Sequence, residues 1–359
     1  MPIPLNIEET EVLAREKLPP EVYGYYSGGS WDGETLRENC AAYRRLPIHY
    51  HILRDVSQCS TACELFGEKL ASPIFAAPTA FHRLAHPEGE AATALGVGRA
   101  GSLMTLSSLS TLRLEDVAVA AAGPLWFQMY INKDRGFTRA LAQRAVAAGY
   151  KALVVTADTP RWGVRETDVR NGFHLPPGIE PVNLMVSHEG SGTLSHQGSG
   201  MGAMMSWMLD PSLTWNDIAW LAEEVSVPVL VKGICRADDA GLAMQHGAAG
   251  VIVSNHGGRQ LDSAPATVTV LPAVVEAVGD QIPVLIDGGI RRGTDALKAL
   301  ALGARAVLVG RPVLWGLTVG GAEGVTTVLE MLRGELELAM ALAGCPRLSD
   351  LTPDLITPS

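Results

Sequence analysis

The chain has 359 residues, of which 47% are hydrophobic and 18% are charged, and its formal net charge is −10. This composition allows a large buried core and excludes a disordered or collagen-like chain. The negative charge argues against general nucleic-acid binding, which needs basic surface to neutralise phosphates. We therefore expect a globular protein with no nucleic-acid partner.

The five cysteines are widely spaced, and the one close pair, Cys59 and Cys63, has no histidine or second pair at zinc-site spacing. Structural zinc is not expected, and free thiols in a reducing compartment are favoured over disulfides. The first residues are acidic and lack a secretory leader, and no apolar run reaches the roughly 18 residues of a membrane span. We expect a cytoplasmic protein with no metal and no membrane partner.

Residues 1 to about 70 read as an N-terminal helical extension, with helices predicted over Ile7–Glu16 and Pro20–Ser27 and a mixed segment through Gly67. Eight short aliphatic runs follow and predict strands. These runs are Pro73–Ala80, Ser102–Ser107, Leu125–Tyr130, Ala152–Asp158, Pro228–Gly233, Gly250–Asn255, Pro283–Gly288 and Ala306–Gly310.

Helical patterns lie between most of the predicted strands. They span Gly136–Ala148, Trp215–Glu224, Ala237–His246, Leu271–Val278 and Thr294–Leu302. Eightfold alternation of strand and helix is typical of an α/β protein with a parallel (β/α)8 TIM barrel. A doubly wound sheet is the alternative, but no G-x-G-x-x-G motif follows the first strand to support a dinucleotide site.

We expect one domain over residues 1–359, with the extension at 1–70, the barrel at 71–320 and a C-terminal helical segment at 321–359. The stretch 178–210 is rich in Gly, Ser, Met and His and shows no sustained period. It follows the fourth barrel strand, on the face where barrel enzymes carry their active sites, which predicts a mobile active-site lid. An insertion without function is the alternative.

An aliphatic run ends abruptly in proton-handling and anion-binding side chains at residues 251–262 (VIVSNHGGRQLD). His256 can exchange a proton near neutral pH, and Arg259 can hold a carboxylate in bidentate fashion. The pair indicates base chemistry on a small organic acid. A capped strand end with a solvated arginine is the alternative.

Polar residues also end the other predicted strands, and the C-terminal strand ends of a barrel meet at one mouth. In chain order they are Thr79, Ser107, Gln128, Tyr130, Thr156, Asp158, Lys232, His256, Arg259, Asp287, Arg291 and Arg311. The last two strands end in residues 287–293 (DGGIRRG) and 310–312 (GRP), which combine glycines with guanidinium groups. That combination suits a phosphate, with structural loop arginines as the alternative.

Taken together, these segments resemble the FMN-dependent α-hydroxy-acid oxidase and dehydrogenase family, which includes glycolate, lactate and mandelate oxidases. The resemblance covers nearly the whole chain. The matching segments are 23–29 (YGYYSGG), 77–80 (APTA), 86–90 (HPEGE), 105–108 (TLSS), 232–233 (KG), 254–262 (SNHGGRQLD) and 287–295 (DGGIRRGTD).

The resemblance implies FMN as the cofactor and a small 2-hydroxy acid as the substrate. It implies that His256 is the base at the substrate α-carbon and that Asp158 stabilises the imidazolium. The implied substrate contacts are Tyr25, Tyr130, Arg165 and Arg259. The implied FMN contacts are Pro78, Thr79, Ala80, Ser107, Gln128, Thr156, Lys232, Ser254, Asp287, Gly289, Arg291, Gly310 and Arg311, with Lys232 placing its charge beside flavin N1 and O2.

Departures from the family pattern bear on the substrate. Leu109 stands where plant glycolate oxidases carry tryptophan, and Trp162 stands where they carry leucine. Loss of an aromatic side chain leaves room for a larger substrate group, while Trp162, with Phe81 beside it, supplies an apolar surface. We expect lactate, a longer aliphatic homologue or mandelate in preference to glycolate.

The chain lacks both the haem domain of cytochrome-reducing relatives and the apolar or basic insertion of membrane-bound ones. We therefore expect O2 as the electron acceptor and hydrogen peroxide as a product. The alternatives are a dehydrogenase that uses a quinone or another carrier, a decarboxylating enzyme of the lactate-monooxygenase type, and an FMN-binding barrel without turnover. A homo-oligomer, tetrameric or octameric, is implied by the resemblance.

Overall fold

The computed structural model describes residues 4–185 and 209–356. Its strands are β1 (Cys63–Leu65), β2 (Glu68–Leu70), β3 (Ile74–Ala76), β4 (Met104–Ser107), β5 (Leu125–Met129), β6 (Leu153–Thr156), β7 (Val229–Ile234), β8 (Gly250–Val253), β9 (Val284–Asp287) and β10 (Ala306–Val309). Strands β3 to β10 run parallel and close into a barrel, with β10 paired to β3. The predicted (β/α)8 barrel is confirmed.

The described helices are α1 (Ile7–Lys17), α2 (Pro20–Ser27), α3 (Glu34–Arg44), α4 (Gly89–Arg99), α5 (Leu114–Ala120), α6 (Arg135–Ala147), α7 (Glu166–Arg170), α8 (Trp215–Glu224), α9 (Ala237–Gln245), α10 (Thr267–Val278), α11 (Gly293–Ala301) and α12 (Arg311–Leu342). Helices α4 to α12 lie between or after the barrel strands. Helix α12 begins directly after β10, ten residues before the predicted C-terminal helical segment, and its backbone leaves helical geometry at Gly320 and Gly321.

Alternation along the strands divides the core into two parts, because successive side chains point to opposite faces of a strand. One set faces the surrounding helices, and Phe127 of this set packs against Tyr150, just after helix α6, with ring centroids 5.6 Å apart. The other set fills the barrel interior and includes Phe75 and Trp126, whose rings are 6.1 Å apart. Both sets are apolar, which explains why the strands read as continuous aliphatic runs.

The segment before the barrel contains more regular structure than the sequence predicted. Strands β1 and β2 form an antiparallel hairpin at the end of the predicted extension, where a mixed segment through Gly67 and no strand was expected. The hairpin places Phe66 over the barrel interior, with its ring 5.8 Å from that of Trp126. It therefore covers the end of the barrel at which the strands begin.

Helices α2 and α3 pack against the opposite end, where the strands finish. The N–H of Thr35 donates to Asp262 at 2.8 Å, and the amides of Asn39 and Asn255 exchange hydrogen bonds of 2.9 and 2.8 Å. A side chain at Gly289, where φ is +83°, would put Cβ 2.1 Å from the carbonyl oxygen of Asn39. These contacts hold the extension against the loops after β8 and β9.

Of the predicted lid at 178–210, residues 186–208 lie outside the described residues. Over the two ranges that are described, none of the helices is both long and apolar enough to span a bilayer. The same ranges contain no group of three or more His, Cys, Asp or Glu side chains placed to hold a metal ion.

Candidate active site

The mouth of the barrel holds an open cleft with about 950 Å³ of space that no atom occupies. All eight barrel strands, or the loops directly after them, contribute to its lining. The lining includes these residues predicted from the sequence: Tyr25, Pro78, Thr79, Ala80, Ser107, Leu109, Gln128, Tyr130, Thr156, Trp162, Arg165, Lys232, His256, Arg259, Asp287, Gly289, Arg291, Gly310 and Arg311. The structure therefore brings nearly all of the predicted site residues together.

Three residues singled out from the sequence lie behind the cleft lining. Asp158 is placed behind His256, as its predicted partner role requires. Ser254 is fully buried, and its hydroxyl accepts from Lys232 Nζ at 2.9 Å, so it supports Lys232 where a direct cofactor contact was expected. Phe81 was expected beside the substrate but is fully buried, with its ring 6.3 Å from that of Tyr25.

His256 and Asp158 form a close pair at the ends of β8 and β6. Nδ1 of His256 lies 2.8 Å from Oδ1 of Asp158. Gly233, with φ at +114°, permits this approach, since a Cβ there would lie 2.6 Å from the Asp158 side chain. His256 itself has a φ of +59°, a left-handed conformation that costs a non-glycine residue free energy and is concentrated at functional sites.

The charge states of this pair follow from burial and from neighbouring charges. Burial lowers the pKa of His256, and Asp158 offsets that effect only in part. Burial by itself would raise the pKa of Asp158, but His256 and Lys232 reverse the sign and lower it to about 2. Asp158 does raise the basicity of His256, as expected, but burial outweighs it. At neutral pH the imidazole is therefore neutral and the carboxylate ionised.

Arg165 projects into the cleft from the loop after β6, with only 3% of its surface exposed. Its guanidinium lies 4.1 Å from the centre of the Trp162 ring, so Trp162 supports the arginine as well as lining the cleft. Nε and Nη1 of Arg165 are buried and find no hydrogen-bond partner among the described residues. Burial, with repulsion from Arg259, lowers its pKa to about 9. An anion in the cleft would accept hydrogen bonds from these nitrogens and would stabilise the positive charge of Arg165.

Arg259 is anchored by helix α2. Its Nη1 donates to the carbonyl oxygens of Tyr25 at 2.6 Å and Gly28 at 3.1 Å, and its guanidinium lies 5.0 Å from the Tyr25 ring centre. The Tyr25 ring in turn stacks on Phe173 at 4.3 Å. Burial raises the pKa of the Tyr25 and Tyr130 hydroxyls, so both remain hydrogen-bond donors.

A ladder of neutral polar groups crosses the cleft from β4 to β6. The Ser107 hydroxyl donates to Gln128 Oε1 at 3.0 Å, and Gln128 Nε2 donates to the Thr156 hydroxyl at 2.9 Å. The three side chains are each at least 95% buried. Such a ladder holds donors and acceptors in fixed positions, as recognition of a heterocyclic ring requires.

Lys232 lies at the end of β7, next to this ladder. Its Nζ lies 3.4 Å from Oδ2 of Asp287 and donates to Ser254. Burial opposes its charge, but Asp287 and Asp158 outweigh burial and raise the pKa of Lys232. Oδ1 of Asp287 is buried without a hydrogen-bond partner in the part of the chain that the structure describes. The cleft therefore contains the positive charge of Lys232 and a carboxylate oxygen of Asp287 that can accept another hydrogen bond.

A second cationic region lies after β9 and β10. Arg311 donates to the carbonyl oxygens of Tyr26, Gly28 and Gly257 at 2.9 to 3.1 Å. Burial, with repulsion from Arg259 and Arg291, lowers the pKa of Arg311 to about 9. Cations that crowd one another at a glycine-rich rim favour a bound anion.

Comparison with known proteins gives the same assignment over nearly the whole chain. The model of the FMN-dependent dehydrogenase family matches residues 14–358. The chain belongs to this family. It is 48% identical to glycolate oxidase 3 of Oryza sativa subsp. indica, covering 97% of this chain and 94% of the relative. It is 49% identical to L-lactate oxidase of Nostoc sp., with 97% and 96% covered.

Solved structures agree with the sequence relatives. A crystal structure of mandelate oxidase superposes with a TM-score of 0.90 and 38% identity over 97% of both chains. A second, mandelate oxidase with (S)-2-phenylpropionate, gives a TM-score of 0.88 at 39% identity, again with 97% of each chain covered. The protein is therefore a flavin-dependent oxidoreductase with FMN as its cofactor.

The residues present fit FMN. The polar ladder and Lys232 suit the ring, where the lysine charge would offset negative charge on the reduced flavin. The unpartnered oxygen of Asp287 suits a hydroxyl donor of the ribityl chain, and Arg291 with Arg311 suits the phosphate. Arg165, two of whose donors have no hydrogen-bond partner in the described part of the chain, is left for a second anion.

Tyr26 and Asp168 are polar residues at the site that were not singled out from the sequence. Tyr26 lines the cleft, and its hydroxyl donates to the carbonyl oxygen of Phe81 at 2.7 Å. The carboxylate of Asp168 lies 4.0 Å from Arg165 Nη1, and burial raises the pKa of Asp168. Tyr26 falls within the quoted segment 23–29, so its neighbour Tyr25 could have drawn attention to it. Asp168 carries no comparable sequence signal.

Proposed function

We propose that the protein oxidises an (S)-2-hydroxy acid to the 2-keto acid and passes the electrons to O2, giving hydrogen peroxide. The observation that carries this proposal is the neutral His256, backed by ionised Asp158, in one cleft with the unpartnered N–H groups of Arg165. A base and an anion-binding group so placed can act on a carbon next to a carboxylate.

The carboxylate of the substrate would bind Arg165 and Arg259, which lie on the same side of the cleft as Tyr25. Charge-assisted hydrogen bonds from Nε and Nη1 of Arg165 to this carboxylate would satisfy donors that have no partner within residues 4–185 and 209–356. The hydroxyls of Tyr25 and Tyr130 would donate to the substrate oxygens. Two fixed cations and two hydroxyls determine which face of the α-carbon meets the cofactor.

His256 would accept the proton from the substrate α-carbon. Its Nδ1 is bonded to Asp158, which leaves Nε2 as the basic nitrogen. The carboxylate of Asp158 then stabilises the imidazolium that forms. Bound FMN would supply the two-electron redox chemistry between the substrate and the acceptor. Overall the hydroxy acid loses two electrons and two protons, and O2 gains them.

Anaerobic mixing tests whether the protein turns over or only binds FMN. The holoenzyme is mixed with 2-hydroxy acids under nitrogen, and the visible flavin absorbance is followed. We expect complete bleaching by the true substrate and none by its 2-keto product. A holoenzyme that no 2-hydroxy acid bleaches would contradict the proposal and leave an FMN-binding barrel.

Product analysis in air identifies the electron acceptor. We expect one hydrogen peroxide for each 2-keto acid formed, as for an oxidase. Turnover that requires an added quinone or dye would assign the protein to the carrier-linked dehydrogenases. Recovery of a carboxylic acid one carbon shorter, together with CO2, would show the decarboxylating outcome.

Leu109 carries the prediction about substrate size. It lines the cleft and is 97% buried, so its size limits what lies beside it. We propose a substrate whose side chain is larger than hydrogen, from lactate to a longer aliphatic acid or mandelate. Because Trp162 packs against Arg165, it would contribute to holding the carboxylate as well as to apolar contact.

Steady-state rates on glycolate, lactate, 2-hydroxybutyrate and mandelate test this prediction. We expect the kcat/KM of the wild-type enzyme to be lowest for glycolate. In Leu109→Trp, the larger ring should lower kcat/KM for lactate and mandelate and leave glycolate the least affected. A wild-type preference for glycolate would contradict the size prediction without affecting the reaction.

A further inference from the structure

A buried histidine that the proposed chemistry does not use lies directly behind the cleft. His82 follows β3 in a short 3-10 turn (His82–Leu84) and is 99% buried. Its Nε2 lies 2.6 Å from the hydroxyl of Thr79, which lines the cleft, and its Nδ1 lies 2.9 Å from the hydroxyl of Thr93. The imidazole therefore joins Thr79 to helix α4.

The turn that carries His82 is held by a buried carboxylate. Glu90 is fully buried, and its Oε1 accepts from the N–H groups of His82 at 3.0 Å and Thr111 at 2.9 Å. Its Oε2 accepts from the Thr111 hydroxyl at 2.5 Å. Among the described residues, no carboxylate contacts the imidazole ring itself. Burial lowers the pKa of His82, and Glu90 opposes this only in part, so the ring is neutral.

The two tautomers of this neutral ring differ in the partner to which the Thr93 hydroxyl can donate. The Thr93 hydroxyl has a single hydrogen, and the carbonyl oxygen of Gly89, 3.3 Å away, can only accept. A hydroxyl that donates to Gly89 must accept from Nδ1–H of His82. Nε2 is then an acceptor, and the hydrogen of the Thr79 hydroxyl points to Nε2 and away from the cleft.

We propose that His82 is a positioning residue that makes the Thr79 hydroxyl a hydrogen-bond acceptor toward FMN. With its hydrogen held by Nε2 of His82, the Thr79 hydroxyl can offer only lone pairs to a ligand in the cleft, which suits an N–H or O–H donor of the cofactor. This inference rests on the family's cofactor and on the predicted contact of Thr79 with it. It does not rest on the identity of the substrate or of the electron acceptor, so its tests need no turnover.

The tautomer itself is tested by 15N NMR of the holoenzyme labelled at histidine, with His82→Gln used to assign the signals. We expect Nδ1 of His82 to carry the proton and Nε2 to be unprotonated, unchanged across the neutral pH range. A protonated Nε2 would overturn the proposal, because the Thr79 hydrogen would then be free to point into the cleft.

A double-mutant cycle tests whether His82 acts through Thr79. FMN is titrated into each apoprotein and its dissociation constant is read from flavin fluorescence. We expect His82→Phe and Thr79→Val each to weaken binding by about threefold to tenfold, the net effect of one hydrogen bond. In the Thr79→Val background, His82→Phe should have no further effect, since the hydroxyl that it orients is gone.

Rescue by a conservative variant separates positioning from packing. The side-chain oxygen of His82→Gln can accept from Thr79, so this variant should retain FMN affinity and the midpoint potential of the bound flavin. His82→Phe, which fills the space but cannot accept, should retain neither. Equal losses of FMN affinity in His82→Gln and His82→Phe would show that His82 only supports the fold. The same conclusion would follow if His82→Phe weakened FMN binding as much in the Thr79→Val background as in the wild type.

Discussion

The two ends of the barrel are built in different ways. At the end where the strands begin, Phe66 of the hairpin, Phe75 and Trp126 pack ring against ring within a cluster of buried apolar side chains. At the end where the strands finish, Arg165 is buried, and two of its nitrogens find no hydrogen-bond partner among the described residues. His256, at the same end, has a left-handed backbone conformation.

The contrast shows where stability is gained and where it is given up. Burial of large apolar rings stabilises the fold, whereas buried unpaired donors and a left-handed histidine each cost free energy. The mouth accepts those costs because the same groups become satisfied when a ligand arrives. We therefore expect substitutions at the mouth to change turnover more than stability, and substitutions at the closed end to do the reverse.

The largest expected effect is on turnover in His256→Asn. Asparagine tolerates a positive φ, so the variant removes the base while keeping the backbone. We expect kcat to fall by about 10²- to 10⁴-fold, the usual contribution of a positioned general base, with the Tm nearly unchanged. His246→Gln, at the end of helix α9 and away from the cleft, is the control and should retain full activity. If His256→Asn kept the wild-type kcat, His256 would not be the catalytic base.

At the closed end, Trp126→Ala is expected to destabilise the fold by about 3–5 kcal/mol, because it leaves a cavity under the hairpin. Unfolding by urea at neutral pH measures the loss. The folded fraction should keep its kcat, since Trp126 belongs to the apolar cluster at the opposite end of the barrel. A large fall in kcat with stability preserved would show that the two ends are coupled.

Arg165→Met is expected to act on substrate binding. Loss of charge-assisted hydrogen bonds to the carboxylate, about 1.5–3 kcal/mol, should lower kcat/KM by about 10- to 150-fold, mainly through KM. Stability should rise slightly or stay the same, because the unpaired buried donors are removed. Arg170→Met, whose exposed guanidinium pairs with Glu166 on helix α7, is the matched control. A loss of stability equal to that of Trp126→Ala would contradict the contrast between the two ends.

The smallest expected effect is a shift in pH dependence. Because burial holds the pKa of His256 below its ordinary value of 6.5, kcat/KM should be constant near neutral pH and fall only as the pH drops below that range. Asp158 raises the pKa of His256, so in Asp158→Asn the fall of kcat/KM at acid pH should begin at a still lower pH. The value of kcat/KM near neutral pH should also be reduced. If kcat/KM of Asp158→Asn instead began to fall at a higher pH than in the wild type, Asp158 would not raise the pKa of His256.

The barrel fold and most of the residues that line its mouth were predictable from the sequence. Parallel strands are buried on both faces and read as aliphatic runs, and the residue after each run is fixed at the mouth by chain direction alone. That is why His256, Lys232 and Arg311 could be placed in one cleft although they are far apart in the sequence. The hairpin of β1 and β2 was missed because its strands are three residues long and half exposed.

Tertiary packing decided what each rim residue contacts. Ser254 and Phe81 carry the same strand-end signal as their neighbours, yet both are fully buried, Ser254 behind Lys232 and Phe81 against Tyr25. The link from His82 to Thr79 and Thr93 depends on how a short turn meets helix α4, and no periodicity records it. The sequence by itself determined which segments end at the mouth, because the aliphatic runs and the chain direction along them are local properties. Their partners and charge states needed the tertiary structure, because burial and hydrogen bonding depend on segments distant in the chain.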